Sequence, residues 1–122
     1  MRANLASPLA QTAAGAIAAD VLRACVHCGL CNAACPTYQI TGDELDGPRG
    51  RIYLIKQTLE GEPTGRLSQV HLDRCLSCRA CETACPSGVE YHRLLDVGRQ
   101  AVAAKVGRPW GERLARLAVR AL

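Results

Sequence analysis

The chain has 122 residues, 48% of them apolar, with 15 Lys and Arg against 11 Asp and Glu and a formal charge of +4. That length suits one domain with a modest core, and with only Tyr38, Tyr53, Tyr91 and Trp110 as aromatics the core needs a further source of cohesion. The cations are thirteen Arg and two Lys with no basic run interleaved with aromatics, which argues against nucleic acid. No segment approaches the roughly 18 apolar residues of a transmembrane helix.

In chain order, residues 1–13 read as an N-terminal extension. They are Ala-rich, with one Arg and Pro8, and lack the apolar run of a signal peptide, so the expected location is cytoplasmic, or peripheral at the inner face of the cell membrane through a partner. Residues 10–24 carry Ile17, Val21 and Leu22 at helical spacing and lead into "CVHCGLCNAACP" at 25–36. The segment "GDELDGPRGRIYLIKQTLEG" predicts a loop, then a helix with Pro48 in its first turn, Ile52, Ile55 and Leu59 on one face, and Gly61 as its stop. After the turn "GEPTG", a short helix through Val70 and Leu72 enters "CLSCRACETACP" at 75–86. Residues 89–106 predict a helix carrying Leu94, Leu95, Val97, Ala101, Val102 and Val106, stopped by Gly107 and Pro109. Residues 111–122 begin a C-terminal helix with Leu114, Leu117 and Ala121 set against Arg113, Arg116 and Arg120, expected to pack on protein rather than on lipid. No period-2 run occurs, so the predicted fold is all-α, with the main domain over 14–110.

The two cysteine runs are one motif repeated at an offset of 50 residues, and together they use all eight cysteines. Three cysteines at intervals of three let a turning backbone aim three sulfurs into one pocket. A cubane needs a fourth thiolate, and in the C-x2-C-x2-C-x3-C-P run that ligand serves the other cluster of a two-cluster protein. The motif therefore assigns Cys25, Cys28, Cys31 and Cys85 to one [4Fe-4S] cluster, and Cys75, Cys78, Cys81 and Cys35 to a second. Pro36 and Pro86 are expected to turn the chain away after each fourth ligand. With about −2 on each oxidised cluster and its thiolates, the loaded chain is nearly neutral.

A disulfide framework fits poorly without a secretory signal. Zinc favours separated C-x2-C pairs, so a zinc-binding interaction module leaves a surplus cysteine in each run. A thioredoxin-like C-x-x-C lacks its βαβ setting. Among the remaining polar residues, His27 either tunes its cluster by hydrogen bonding or is solvated, and His71 is expected on a helix surface. Arg49 and Arg51 oppose the dipole of their helix, and pair either with Asp43, Glu44 or Asp46, or with an anionic cluster or partner.

The stretches "RACVHCGLCNAACPTYQITGDELDGPRGRIYLIKQTLEG" and "HLDRCLSCRACETACPSGVEYHRLLDVGR" resemble the iron–sulfur subunits of bacterial glycolate oxidases (glycolate dehydrogenases), from about residue 14 to the end. The resemblance implies an α-helical ferredoxin domain wrapped around two [4Fe-4S] clusters, with the eight cysteines as ligands. It implies an electron-transfer subunit of an oxidoreductase, with no substrate site of its own. It further implies FAD-binding partner subunits that oxidise glycolate to glyoxylate, with electrons passing toward a membrane quinone. Members of this family continue into CCG-type cysteine repeats, and no "CCG" occurs in these residues. Subunits of heterodisulfide reductase, lactate-utilisation and anaerobic glycerol-3-phosphate dehydrogenase complexes share the fold and supply the alternative.

Overall fold

The computed structural model describes residues 1–122, the side chain of Ser7 excepted. The helices are α1 (Ser7–Ala10), α2 (Ala13–Ala24), α3 (Pro36–Thr41), α4 (Pro48–Leu59), α5 (Arg66–Asp73), α6 (Ala80–Thr83), α7 (Tyr91–Lys105) and α8 (Trp110–Arg120), with 3-10 turns at Leu30–Ala34 and Glu44–Asp46. No strand occurs among the described residues, and the all-α expectation holds.

Local chemistry sets the boundaries. Thr12 caps α2 by accepting the Gly15 N–H at 3.0 Å. Pro48 opens α4, where the N–H it lacks would have had no helical partner. The first turn of α7 is capped from a distance: Glu82 Oε1 accepts the His92 backbone N–H at 2.7 Å. Pro36 differs from expectation. It does not turn the chain away but starts α3, because its fixed φ suits a first helical position.

Helix α7 is the axis. It buries Leu94, Leu95, Val97 and Val102 against α2, α4 and α5, whose Leu22, Ile55, Leu59 and Leu72 are fully buried. Each such side chain contributes about 1.5–3 kcal/mol of hydrophobic stabilisation. Two glycines permit the close approach: a Cβ on Gly98 would lie 2.5 Å from Ile55 Cγ1, and one on Gly50 would lie 2.1 Å from the Glu44 carbonyl oxygen. Backbone yields less readily than a side chain, so Gly50→Ala should destabilise the protein by about 1–3 kcal/mol. An unchanged melting temperature in that variant would contradict the packing of α4 on the 44–46 turn.

The N-terminal residues lie on this core. The Met1 ammonium donates to the Cys25 carbonyl at 2.5 Å, and the Ala6 N–H donates to the Leu59 carbonyl at 2.9 Å. At the other end, α8 is attached by charge: Arg66 pairs with Glu112, and Arg116 reaches Asp73 at 3.4 Å. Leu114 and Leu117 stay exposed, so the expected packing of this helix on protein is ionic here rather than apolar. No helix among the described residues is long and apolar enough to cross a membrane.

His71 departs from expectation. It is 8% exposed, because α5 turns that face toward the buried carboxylate of Asp46, which meets its Nδ1 at 2.8 Å.

Candidate metal centre

Both cysteine runs fold into the same loop. The second and fourth residues after the first cysteine take left-handed backbone: His27 (φ 62°) and Gly29 (φ 88°) in the first run, Ser77 (φ 56°) and Arg79 (φ 62°) in the second. Three of the four carry a side chain, at a cost of order 1–3 kcal/mol each. Successive N–H groups in such reversals form concavities suited to anions. The repeat thus extends to backbone shape as well as cysteine spacing.

Two cavities open beneath these loops. One, with about 460 Å³ of free space including its mouth, is lined by Cys25, Cys28, Cys31 and Cys85. The other, about 410 Å³ on the same basis, is lined by Cys35, Cys75, Cys78 and Cys81. Each gathers the first three cysteines of one run and the last cysteine of the other. Pro48, Cys81 and Tyr91 line both, so the cavities share a wall.

The donor set fits a multi-iron group better than one ion. A tetrahedral zinc about 2.3 Å from each thiolate brings the sulfurs to about 3.8 Å of one another. Among the described residues, the one set of three or more candidate ligands lying mutually within 4.8 Å is Asp43, Asp46 and His71, and it contains no cysteine. Charge calls for a bound metal in either case. Burial, then the neighbouring Cys31, Cys75, Glu82 and Cys35, push the Cys81 thiol up to about 12. Burial likewise raises Cys31, opposed by a backbone N–H and reinforced by Cys25, Cys85 and Cys28. Thiolates so placed need a multivalent cation among them, which deprotonates a coordinating thiol outright. The two buried side-chain polar atoms without a hydrogen-bond partner among the described residues, His27 Nδ1 and Arg51 Nη2, belong to residues lining the first and second cavities respectively.

Cys35 shifts the opposite way from Cys31 and Cys81. Burial raises it, but hydrogen bonds from the Thr37 hydroxyl and the Tyr38 and Thr37 amides, with the Arg51 charge, outweigh burial and lower it. Arg51, 1% exposed, donates from Nε to the His71 carbonyl at 2.8 Å and from Nη1 to Thr37 Oγ1 at 3.1 Å, with Nη1 3.9 Å from Cys35 Sγ. Its Nη2 lies 3.7 Å from Asp46 Oδ1, and Arg74 holds Asp46 Oδ2 at 2.9 Å. The expected acid pairing of Arg51 is present, and the same guanidinium also contacts Cys35. Arg49 pairs with Glu44 at 3.5 Å and lines the first cavity.

Sequence reasoning passed over three residues. Tyr91, buried between the cavities, places its hydroxyl 3.8 Å from Cys75 Sγ. Thr37 bridges Cys35 and Arg51, and its place two residues after Cys35 in the run "CPTY" is the signal that could have found it. Arg99 of α7 fixes the second loop by donating to the Cys75 carbonyl at 2.9 Å and the Ser77 hydroxyl at 3.1 Å. His27 sits beside Tyr53, ring centroids 6.3 Å apart, and burial followed by the Arg49 charge lowers its pKa.

Residues 21–89 match the 4Fe-4S dicluster domain. The chain is 60% identical over 98% of its length to the glycolate oxidase iron-sulfur subunit of Escherichia coli (strain K12), and 43% identical over 75% of its length to a probable glycolate oxidase iron-sulfur subunit of Bacillus subtilis (strain 168). It spans 30% and 21% of those two relatives. It is 34% identical over 80% of its length to one subunit of the ferredoxin:CoB-CoM heterodisulfide reductase of Methanosarcina mazei, and it spans 56% of that subunit. No solved structure matches.

Proposed function

Because this chain belongs to the 4Fe-4S dicluster family, we propose that it is the electron-transfer portion of a glycolate oxidase iron–sulfur subunit, holding two [4Fe-4S] clusters. In this reading Cys25, Cys28, Cys31 and Cys85 ligate one cluster, and Cys35, Cys75, Cys78 and Cys81 the other. The observation that carries it is the pairing of three cysteines from one repeat with the fourth of its twin around each cavity. A bound [4Fe-4S] cluster takes up and releases electrons singly. The chain's own residues supply the ligands, hold them on strained loops, and keep water out with Pro48, Ile52, Val89 and Leu95. The shared wall of Cys81 and Tyr91 keeps the two sites adjacent.

No acid–base residue is assigned here, since substrate oxidation is the work of FAD-binding partner subunits in this proposal. Two one-electron sites can divide a flavin's electron pair, and the onward acceptor is a quinone. Co-purification with FAD-linked oxidase subunits, followed by anaerobic addition of glycolate, should bleach the cluster absorbance. Retained absorbance in a complex carrying both flavin and clusters would refute the glycolate assignment. The 34% identity over 80% of the chain to the heterodisulfide reductase subunit supplies the second reading. Clusters reduced by a thiol-linked partner but inert toward glycolate would select it.

A further inference from the structure

The two cavities share a ligand rhythm but not an electrostatic setting. The second contains a fully buried cation. Arg51 reaches Cys35 Sγ with Nη1 and has a buried Nη2 with no hydrogen-bond partner among the described residues. Tyr91 adds a hydroxyl beside Cys75 Sγ at 3.8 Å, whereas the Arg99 guanidinium on the Cys75 carbonyl at 2.9 Å is matched in the first run by the Met1 ammonium on the Cys25 carbonyl at 2.5 Å and does not separate the sites. The first cavity has no counterpart to Arg51. Its lining cation, Arg49, is partly exposed and neutralised by Glu44 at 3.5 Å, and no side-chain donor reaches Cys25, Cys28, Cys31 or Cys85 among the described hydrogen bonds. The repeat explains the asymmetry: fifty residues on from Arg51 stands Ala101.

Asp46 does not cancel the effect. Its carboxylate is shared between Arg51, Arg74 and His71, and its oxygen is nearest Arg51 at Nη2, whereas Nη1 is the atom that reaches the cysteine. The exposed Arg79 at the mouth of the second cavity is paired with Glu82 at 2.9 Å, as is His92 at 2.7 Å, so neither decides the balance. Adding an electron makes a cluster more negative, and a desolvated cation or a hydrogen-bond donor to its thiolates favours the reduced form.

We propose that Arg51, acting through Cys35, and Tyr91, acting through Cys75, are positioning residues that make the second site the stronger electron acceptor of the pair. This rests on the two-cluster reading above. One electron arriving from a partner then settles at the Cys35, Cys75, Cys78 and Cys81 site, and the Cys25, Cys28, Cys31 and Cys85 site fills after it.

The test is an anaerobic redox titration of the cluster-loaded full chain followed by electron paramagnetic resonance. Cys78→Ser marks the second site's signal, because Cys78 is exposed and belongs to the second run's own triplet however the fourth ligands are shared. The marked signal should correspond to the wave that reduces first in the unmodified protein. At a given potential its ratio of reduced to oxidised form should exceed that of the other site by at least tenfold, ~59 mV for one electron. Arg51→Gln should lower that ratio about tenfold at the marked site alone, Arg51→Lys should restore most of it, and Tyr91→Phe should lower it about threefold. Tyr91→Phe removes one hydroxyl and guards against misfolding of the Arg51 variants. The proposal is overturned if the marked signal reduces second, if the waves lie within tenfold of each other, or if Tyr91→Phe moves the other site or neither. A preparation without two [4Fe-4S] signals would instead refute the two-cluster reading itself.

Discussion

Asp46→Asn should cost the folded, cluster-loaded protein about 3–5 kcal/mol, the range for breaking a buried ion pair from one side. Asp46 is fully buried and receives His71 Nδ1 at 2.8 Å and Arg74 Nη1 at 2.9 Å, with Arg51 Nη2 at 3.7 Å. Asn keeps the shape and removes the charge. Arg74 is half exposed and can turn to water, but Arg51 cannot, so the penalty falls on a buried guanidinium that has lost its carboxylate partner and keeps only the Cys35 site beside it. The network also ties separate elements together, since Asp46 closes the 3-10 turn before α4, Arg51 lies in α4, and His71 lies in α5. Urea unfolding under anaerobic conditions reads the effect. A double variant, Asp46→Asn with Arg51→Met, should recover part of the loss because it removes the stranded cation. A single-variant change within about 0.5 kcal/mol, typical of surface positions, would show that the pairing contributes nothing.

Stripping iron and sulfide should have the larger consequence. The eight cysteines line two cavities that open from the side of a small core, and Cys25, Cys35 and Cys81 are themselves among its buried residues. Without a bound group, the strained loops at His27, Ser77 and Arg79 lose what holds them, and two hollows remain where side chains should pack. Structural metal sites contribute folding free energy outright, about 10–16 kcal/mol in zinc-finger peptides. The stripped chain should therefore lose helical circular dichroism and its cooperative melt, and reconstitution with iron and sulfide should restore both. Identical spectra and melting with and without the clusters would contradict this.

Much of this was legible in the sequence because the signals were local and periodic. Ile52, Ile55 and Leu59 marked the buried face of α4, Leu94, Leu95 and Val102 that of α7, and the cysteine runs announced themselves by spacing. What escaped was relational. His71 looked like a surface histidine because its neighbours in the chain are polar, and only the approach of Asp46 from 25 residues away makes it buried. Tyr91 gave no sign of lying between two cavities, since nothing in "VEYHRLL" distinguishes it from a helix-opening aromatic. Pro36 was read as a break, although the same fixed φ that ends one helix suits the start of another. Arg51 was visible as an anomaly in a first helical turn, but its proximity to Cys35 depends on how α4 packs on the first loop.

The central claim, that each cluster takes its fourth ligand from the opposite repeat, is tested most directly by Mössbauer and electron paramagnetic resonance spectra of anaerobically prepared Cys35→Ser. The predicted result is loss or alteration of the cluster whose other ligands are Cys75, Cys78 and Cys81, with the signal marked by Cys28→Ser unchanged. A change confined to the cluster marked by Cys28→Ser would contradict the account, because Cys35 would then serve its own repeat.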